Sequence, residues 1–333
     1  MTRSWMALGA LAGTLLVPEA PPSPSPTLAF ASKRDGNWEI YLASLDGGSP
    51  TRLTTRAPND RFPLWSPDGA RLAFGTQASS TDFDPWELWV MNREGGGAIR
   101  LTSDIIAKAP RSWAPDGRTI AIEARRGGNH EVVAVQADGS GERNLSRHDS
   151  LDGDPAWSPD GRAIAFRSDR DGDGEIYLMA PDGGDIRRLT RSPGRDGEPA
   201  WSPDGRWIAY TCSPEGQRDL CLMRADGSGL RRLTAAPSED FHPTWSPDGS
   251  RIAFQAVRGK NYDVEVLDLQ SDDRTRLTDE AGFDGQFAWT PDGTRLAVIS
   301  ERGGVEGLYL VDAATGAATL VAPGPALDPD ISR

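Results

Sequence analysis

One pentapeptide recurs along this chain at a nearly constant interval, and that interval constrains what the chain can fold into. WSPDG stands at 65–69, WAPDG at 113–117, WSPDG at 157–161, 201–205 and 245–249, and WTPDG at 289–293. The tryptophans are 48 residues apart once and then 44 apart four times. A fixed period of this length marks an array of supersecondary units that bury their apolar faces only against one another.

Each period reads as four short strands. A short apolar strand follows every turn, as in RLAF (71–74), RAIAF (162–166) and RIAF (251–254). A polar hairpin loop and a third strand come next, for example SDRDGDG (168–174) and EIYLM (175–179). A DGG- or DGSG-type turn leads to a fourth strand ending in Leu-Thr, Leu-Ser or Leu-Val. No segment of the mature chain carries a helical period. Four strands per period of about 44 residues predict an all-β fold, a β-propeller with four antiparallel strands per blade. The ends set the blade count. TLAF (27–30), EIYLA (39–43) and TRLT (51–54) supply a second, third and fourth strand with no tryptophan strand before them. At the other end ALDPDIS (326–332) matches DGDPAWS (152–158), with Ile331 in the tryptophan place. The C-terminal strand is therefore expected to join the N-terminal blade and close the ring, which removes a free sheet edge. This gives seven blades over 27–333; six is the alternative if 27–54 stays unpaired.

The aspartate in every W-x-P-D-G invites a functional reading, but the turn explains it. Proline pre-sets the turn, aspartate caps it through its side chain, and glycine takes positive φ. Trp65, Trp113, Trp157, Trp201, Trp245 and Trp289 are large apolar wedges suited to packing between blades. The pattern D-x-x-P-x-W-S-P-D-G, I-A-F, S-x-R-x-G, E-I-Y-x-M, R-L-T is most complete at 152–190 and resembles the TolB-like propeller repeat, a relative of the WD-type repeat. The resemblance spans essentially the whole mature chain. It implies an envelope protein whose propeller is a protein-binding surface. TolB itself has an N-terminal α/β domain and six blades, and this chain leaves no room for that domain.

Residues 1–20 read as a signal peptide, with Arg3 before a short apolar run from Trp5 to Val17. Residues 21–26 form a Pro-rich extended segment before the propeller at 27–333. Export places the protein in the periplasm or outside the cell, with no membrane span in the mature chain. The formal charge of −13 and pI near 4.8 disfavour nucleic acid and anionic membrane surfaces. They favour a cationic partner or Ca²⁺. Cys212 and Cys221 flank a hairpin loop and are expected to face each other across two strands as a disulfide.

Candidate binding residues lie just before each tryptophan, where the innermost strands begin at the mouth of the central channel. Five positions before stand Asp60, Lys108, Asp152, Asp196, Asp240 and Asp284, with Ala326 in the last unit. Three before stand Phe62, Pro110, Asp154, Glu198, His242, Gln286 and Asp328. Alternation places both offsets on one side of a strand, so two stacked rings are expected at the mouth. The first ring also fits an aspartate that caps its own loop. The second varies from blade to blade, as a specific site does. Phe62 and Phe241 add apolar surface, so a protein or basic peptide is the expected partner of a monomeric scaffold.

Other chemistry is less well supported. Asp169, Asp171, Asp173 and Gly174 open like a calcium loop, but Ala180 stands where a bidentate acid belongs. Prolyl oligopeptidases pair a propeller with a hydrolase, and this chain has no G-x-S-x-G elbow. Oligogalacturonate lyases resemble the repeat and use a His-coordinated metal. Here only His130, His148 and His242 exist, so a metal-dependent lyase or hydrolase is the second reading. The first is a non-catalytic binding module without a cofactor.

Overall fold

The structure, a computed structural model, describes residues 26–56, 58–77, 86–102, 110–235, 237–279 and 283–332. The expected signal peptide, the Pro-rich segment before Pro26, and Lys108 lie outside these residues.

The chain forms seven four-stranded antiparallel sheets in a ring, a seven-bladed β-propeller. The blade at 59–100 is typical: Asn59–Trp65 is innermost, followed outward by Arg71–Gln77, Trp86–Asn92 and Ile99–Arg100. The remaining inner strands are Pro110–Trp113, Asp152–Trp157, Gly197–Trp201, Glu239–Trp245 and Gly285–Trp289. The first blade takes its inner strand from the C-terminus. Ala326–Ile331 pairs with Thr27–Ser32, with Leu28 opposite Ile331 and Ser32 opposite Ala326. The Thr27 amide donates to Ser332 Oγ at 2.8 Å, and the Ser332 amide returns to Thr27 O at 3.0 Å. The expected closure is thus present, and the six-bladed alternative is excluded.

The core is divided into seams. Each apolar cluster joins two neighbouring blades; one combines Ala73, Trp86 and Leu88 with Trp113, Ile120 and Val133. Another crosses the closure, from Leu28 and Phe30 to Leu308 and Ile331. The tryptophans are the wedges in these seams. The indole Nε1 of Trp113 donates to Leu64 O at 3.2 Å, Trp201 to Ala156 O at 3.1 Å, Trp245 to Ala200 O at 3.0 Å and Trp289 to Thr244 O at 3.1 Å. Every one of these bonds runs to the preceding blade. The Pro-Asp-Gly turns are built as their chemistry requires. In the first, Asp68 Oδ1 accepts from Ser66 Oγ and from the Ala70 amide at 3.0 Å, while Gly69 sits at φ 64°.

The Arg-Leu-Thr endings anchor the outer strands. Glu175, buried in the third strand of its blade, accepts from Thr190 Oγ1 and Arg188 Nη2, and Thr190 Oγ1 accepts from the Ile176 amide. Glu39 with Thr54 and Arg52 repeats this arrangement. The network ties a two-residue outer strand to a buried neighbour that it could not otherwise hold.

Because the closing strand completes a sheet from both ends of the chain, deletion of residues 326–333 is expected to expose the edge of Thr27–Ser32. Calorimetry should then show a lower and broader transition; an unchanged Tm would contradict this role.

Candidate functional site

The inner strands do not keep the simple alternation that their sequence suggests. In each of them the pairing register slips just ahead of the tryptophan, between Arg61 and Leu64, Gly153 and Ala156, Gly197 and Ala200, Phe241 and Thr244, and Gly285 and Phe287. The residue three before the tryptophan position is left-handed in six of the seven blades: Phe62 φ 57°, Asp154 51°, Glu198 53°, His242 56°, Gln286 47° and Asp328 55°; the third blade has Pro110 there, whose ring bars that conformation. Those six are two thirds of the nine non-glycine residues with positive φ among the described residues. A β-bulge therefore interrupts each strand, and it separates the two rings expected to share one side.

The aspartates five before the tryptophan turn inward. Asp60, Asp152, Asp196, Asp240 and Asp284 are at most 1% exposed, and Ala326 is fully buried. Each serves a blade joint. The amides of Asp60, Asp196, Asp240 and Asp284 donate to Trp38 O, Gly174 O, Arg218 O and Tyr262 O of the preceding blade at 2.7–2.9 Å. Their carboxylates meet Thr76 (2.6 Å) for Asp60, Arg170 (3.3 Å) for Asp152, Ser192 (2.8 Å) for Asp196 and Arg274 (2.9 Å) for Asp240. This ring is framework, and the expectation that it lines the mouth is corrected: the bulge re-aims it. Phe241 is likewise corrected. It is buried, with the Arg218 guanidinium 4.0 Å from its ring centroid.

The left-handed positions remain at the centre and link blade to blade. Glu198 Oε2 accepts from the His242 amide at 3.0 Å and from Thr211 Oγ1 at 2.7 Å, and Glu198 Oε1 lies 3.1 Å from His242 Nδ1. Gln286 exchanges two hydrogen bonds with Asp328, at 2.8 and 3.0 Å. Asp328 pairs with Arg61 Nε at 3.1 Å, and Asp154 with Arg167 Nε at 3.5 Å. Phe62 packs edge-on to Trp86 at 5.0 Å, with the Arg61 guanidinium 4.5 Å from its ring centroid. The His242 side chain is 52% exposed, the most open of this set.

Three of these partners, Glu123, Arg167 and Thr211, were not singled out from the sequence. Glu123 Oε2 accepts from the Asp154 amide at 3.4 Å, and Glu123 Oε1 meets His130 Nδ1 at 2.6 Å. They share a position ten after the tryptophan, which reads Gly75, Glu123, Arg167, Thr211, Gln255 and Ile299. That position breaks the repeat as the left-handed ring does, and this was the available signal. Its size is matched to the next blade. A Cβ on Gly153 would fall 2.4 Å from Glu123 Oε2, and one on Gly285 2.4 Å from Gln255 Nε2.

The remaining candidates go elsewhere. Asp169 pairs with Arg167 at 2.6 Å and Arg195 at 3.5 Å, and Asp171 accepts from the Tyr177 hydroxyl and lies 3.2 Å from Arg188. Asp173 is exposed. Asp169 and Asp171 are thus engaged by arginines and a tyrosine, and among the described residues no three His, Cys, Asp or Glu side chains are grouped to hold a metal. Cys212 and Cys221 form a disulfide with Cα atoms 5.9 Å apart. The register sets Tyr210 opposite Cys221 and Cys212 opposite Asp219, so the bond is diagonal and not directly cross-strand.

Comparison with known proteins agrees with this architecture. The model of the TolB beta propeller domain matches residues 2–147, 104–196, 189–264 and 240–329. The chain belongs to the TolB β-propeller family. A TolB homologue of Chlorobium luteolum is 47% identical over 47 residues, which is 14% of this chain and only 11% of that relative's length. The putative TolB from Agrobacterium tumefaciens superposes with a TM-score of 0.60 at 25% identity, covering 81% of this chain and 95% of that one. An oligogalacturonate lyase in complex with manganese superposes at 0.65 with 15% identity, over 89% of this chain and 84% of that one. The last likeness is one of fold. Among the described residues of this TolB-type propeller, no helix is long and apolar enough to cross a membrane.

The buried aspartates give this propeller a distinctive pH dependence. Desolvation pushes Asp60 and Asp196 up to about 6. Their folded-state affinity for protons exceeds that of the unfolded chain, so their stabilisation is full below about pH 4 and is lost as pH rises through 6. The turn aspartates Asp68 and Asp204, held down chiefly by Ser66 and Ser202, act in the opposite sense, and only below about pH 4. The fold is thus expected to be more stable at pH 5 than at pH 7, by on the order of 1 kcal/mol for each of the two buried groups, with a correspondingly higher Tm. The difference should shrink in Asp60→Asn/Asp196→Asn, and an equal difference in that variant would refute the assignment.

Proposed function

We propose that this propeller is a non-catalytic binding or scaffolding module of the cell envelope, exported to the periplasm or beyond and working as a monomer. It captures a protein or basic peptide at the mouth of the ring. One observation carries the reading. A left-handed backbone is free for glycine and costs other residues about 1 kcal/mol or more. Phe62, Glu198, His242 and Gln286 nonetheless occupy it. Were the bulge only structural, glycine or asparagine would serve in every blade. Large, chemically different side chains held there against strain are the pattern of a surface that recognises something. Asp154, Glu198 and Asp328 give that surface its acidic character, and the net charge of −13 steers a cationic partner toward it. Family membership supports the same reading.

The strain itself supplies the test. His242→Gly and Gln286→Gly together remove two recognition groups and relax two strained residues. The double variant is expected to melt within a few degrees of the parent, yet to lose the partner captured from an envelope extract by the parent protein. Undiminished capture by a folded double variant would overturn the proposal.

A further inference from the structure

On the face opposite the mouth, the residue six positions after each tryptophan borders the seam to the next blade: Arg71, Thr119, Ala163, Trp207, Arg251 and Arg295. Where it is arginine and the next blade has a tryptophan, the seal is the same each time. The Arg71 guanidinium lies 5.3 Å from the centroid of Trp113, and Nη2 donates to Gly117 O in the adjoining turn. Arg251 lies 5.1 Å from Trp289 and donates to Gly293 O at 2.6 Å. Between the third and fourth blades this residue is Thr119, whose hydroxyl reaches only Gln136, at 3.4 Å. A cavity of about 870 Å³ stands there, bounded by Thr119, Trp157 and Gly161 among others.

This cavity has the features of a seal whose arginine is missing. Trp157 is only half-buried, whereas Trp113 and Trp289 are each 7% exposed under their arginines. The buried Nε1 atoms of Trp157 and Trp65 have no hydrogen-bond partner, unlike those of Trp113, Trp201, Trp245 and Trp289, but Trp65 lies under the Arg93 guanidinium at 5.3 Å. The wall also carries Asp116, Asp160 and Asp182. The Ser158 hydroxyl holds Asp160 below the usual carboxylate range, so it is charged at neutral pH. Arg143, a cation in the same wall, is turned to Pro181 O at 3.0 Å.

We propose that the groove between the third and fourth blades binds an arginine side chain presented by a partner polypeptide. The guanidinium would stack on Trp157 and donate to the Gly161 carbonyl, as Arg71 and Arg251 do in their own seams. A planar fork suits an indole face beside a carbonyl, which a compact ammonium does not. The groove is on the face away from His242 and Glu198, so this site stands or falls independently of the mouth.

The test uses the full chain and two small probes, N-acetyl-arginine amide and its neutral isostere N-acetyl-citrulline amide. Trp157 Nε1–H is followed in a proton–nitrogen correlation spectrum, its resonance being identified by its loss in Trp157→Phe. The arginine probe should shift it saturably, and the citrulline probe should bind at least about ten-fold more weakly, a difference of about 1.4 kcal/mol. Thr119→Arg should fill the groove from within, abolish the shift and raise Tm. No saturable shift with the parent protein, or equal shifts with both probes, would overturn the site. Concentration-dependent self-association that Thr119→Arg abolishes would overturn the partner in favour of a second copy of the chain.

Discussion

The seam between blades is the interaction on which the structure depends. A four-stranded blade of this size has two apolar faces and no means of covering either alone. Trp113, Trp201, Trp245 and Trp289 solve part of that problem twice over: their rings fill the seam, and their indole N–H groups bind carbonyls of the preceding blade. The buried aspartates do related work at the other end of the inner strand, where their amides reach the preceding blade. Stability is thus distributed over repeated contacts between blades, and little of it belongs to any blade by itself.

That distribution leaves the centre free to vary. The bulge holds the backbone in the same left-handed turn in six blades, with phenylalanine, aspartate, glutamate, histidine or glutamine there. The frame beneath it is almost uniform in aspartate, while the ring above it passes from phenylalanine through acids and histidine to glutamine. A repeat protein can differ among blades at such positions because the neighbouring main chain is fixed elsewhere. The groove at Trp157 shows the same logic on the opposite face, where Thr119 borders a space that Arg71 and Arg251 fill in their own seams.

How much of this was legible in the sequence depends on the range of the interactions. The blades, the closing strand and the turn aspartates follow from local chemistry repeated many times, and each could be read from residue type and spacing. The placement of Asp196 and Asp240 could not, because it depends on a bulge with no sequence mark of its own. Positive φ usually announces itself as glycine, and here it falls on Glu198 and His242. Phe241 was misplaced for the same reason, since one inserted residue exchanges the two faces of a strand. The partners at Glu123 and Arg167 were visible as departures from the repeat, but only the register showed which neighbouring blade they reach.

The closing strand also sets an order of events. Leu28 and Ile331 are paired neighbours, yet almost the whole propeller is made between them. Closing so long a loop is entropically expensive, and the six intervening blades reduce that expense by bringing the two ends together as they stack. The first blade to emerge during synthesis is therefore the last to be finished. Until its final strand arrives, the nascent ring has an open lock, and an unpaired edge at Thr27–Ser32 is what chaperones or proteases would meet.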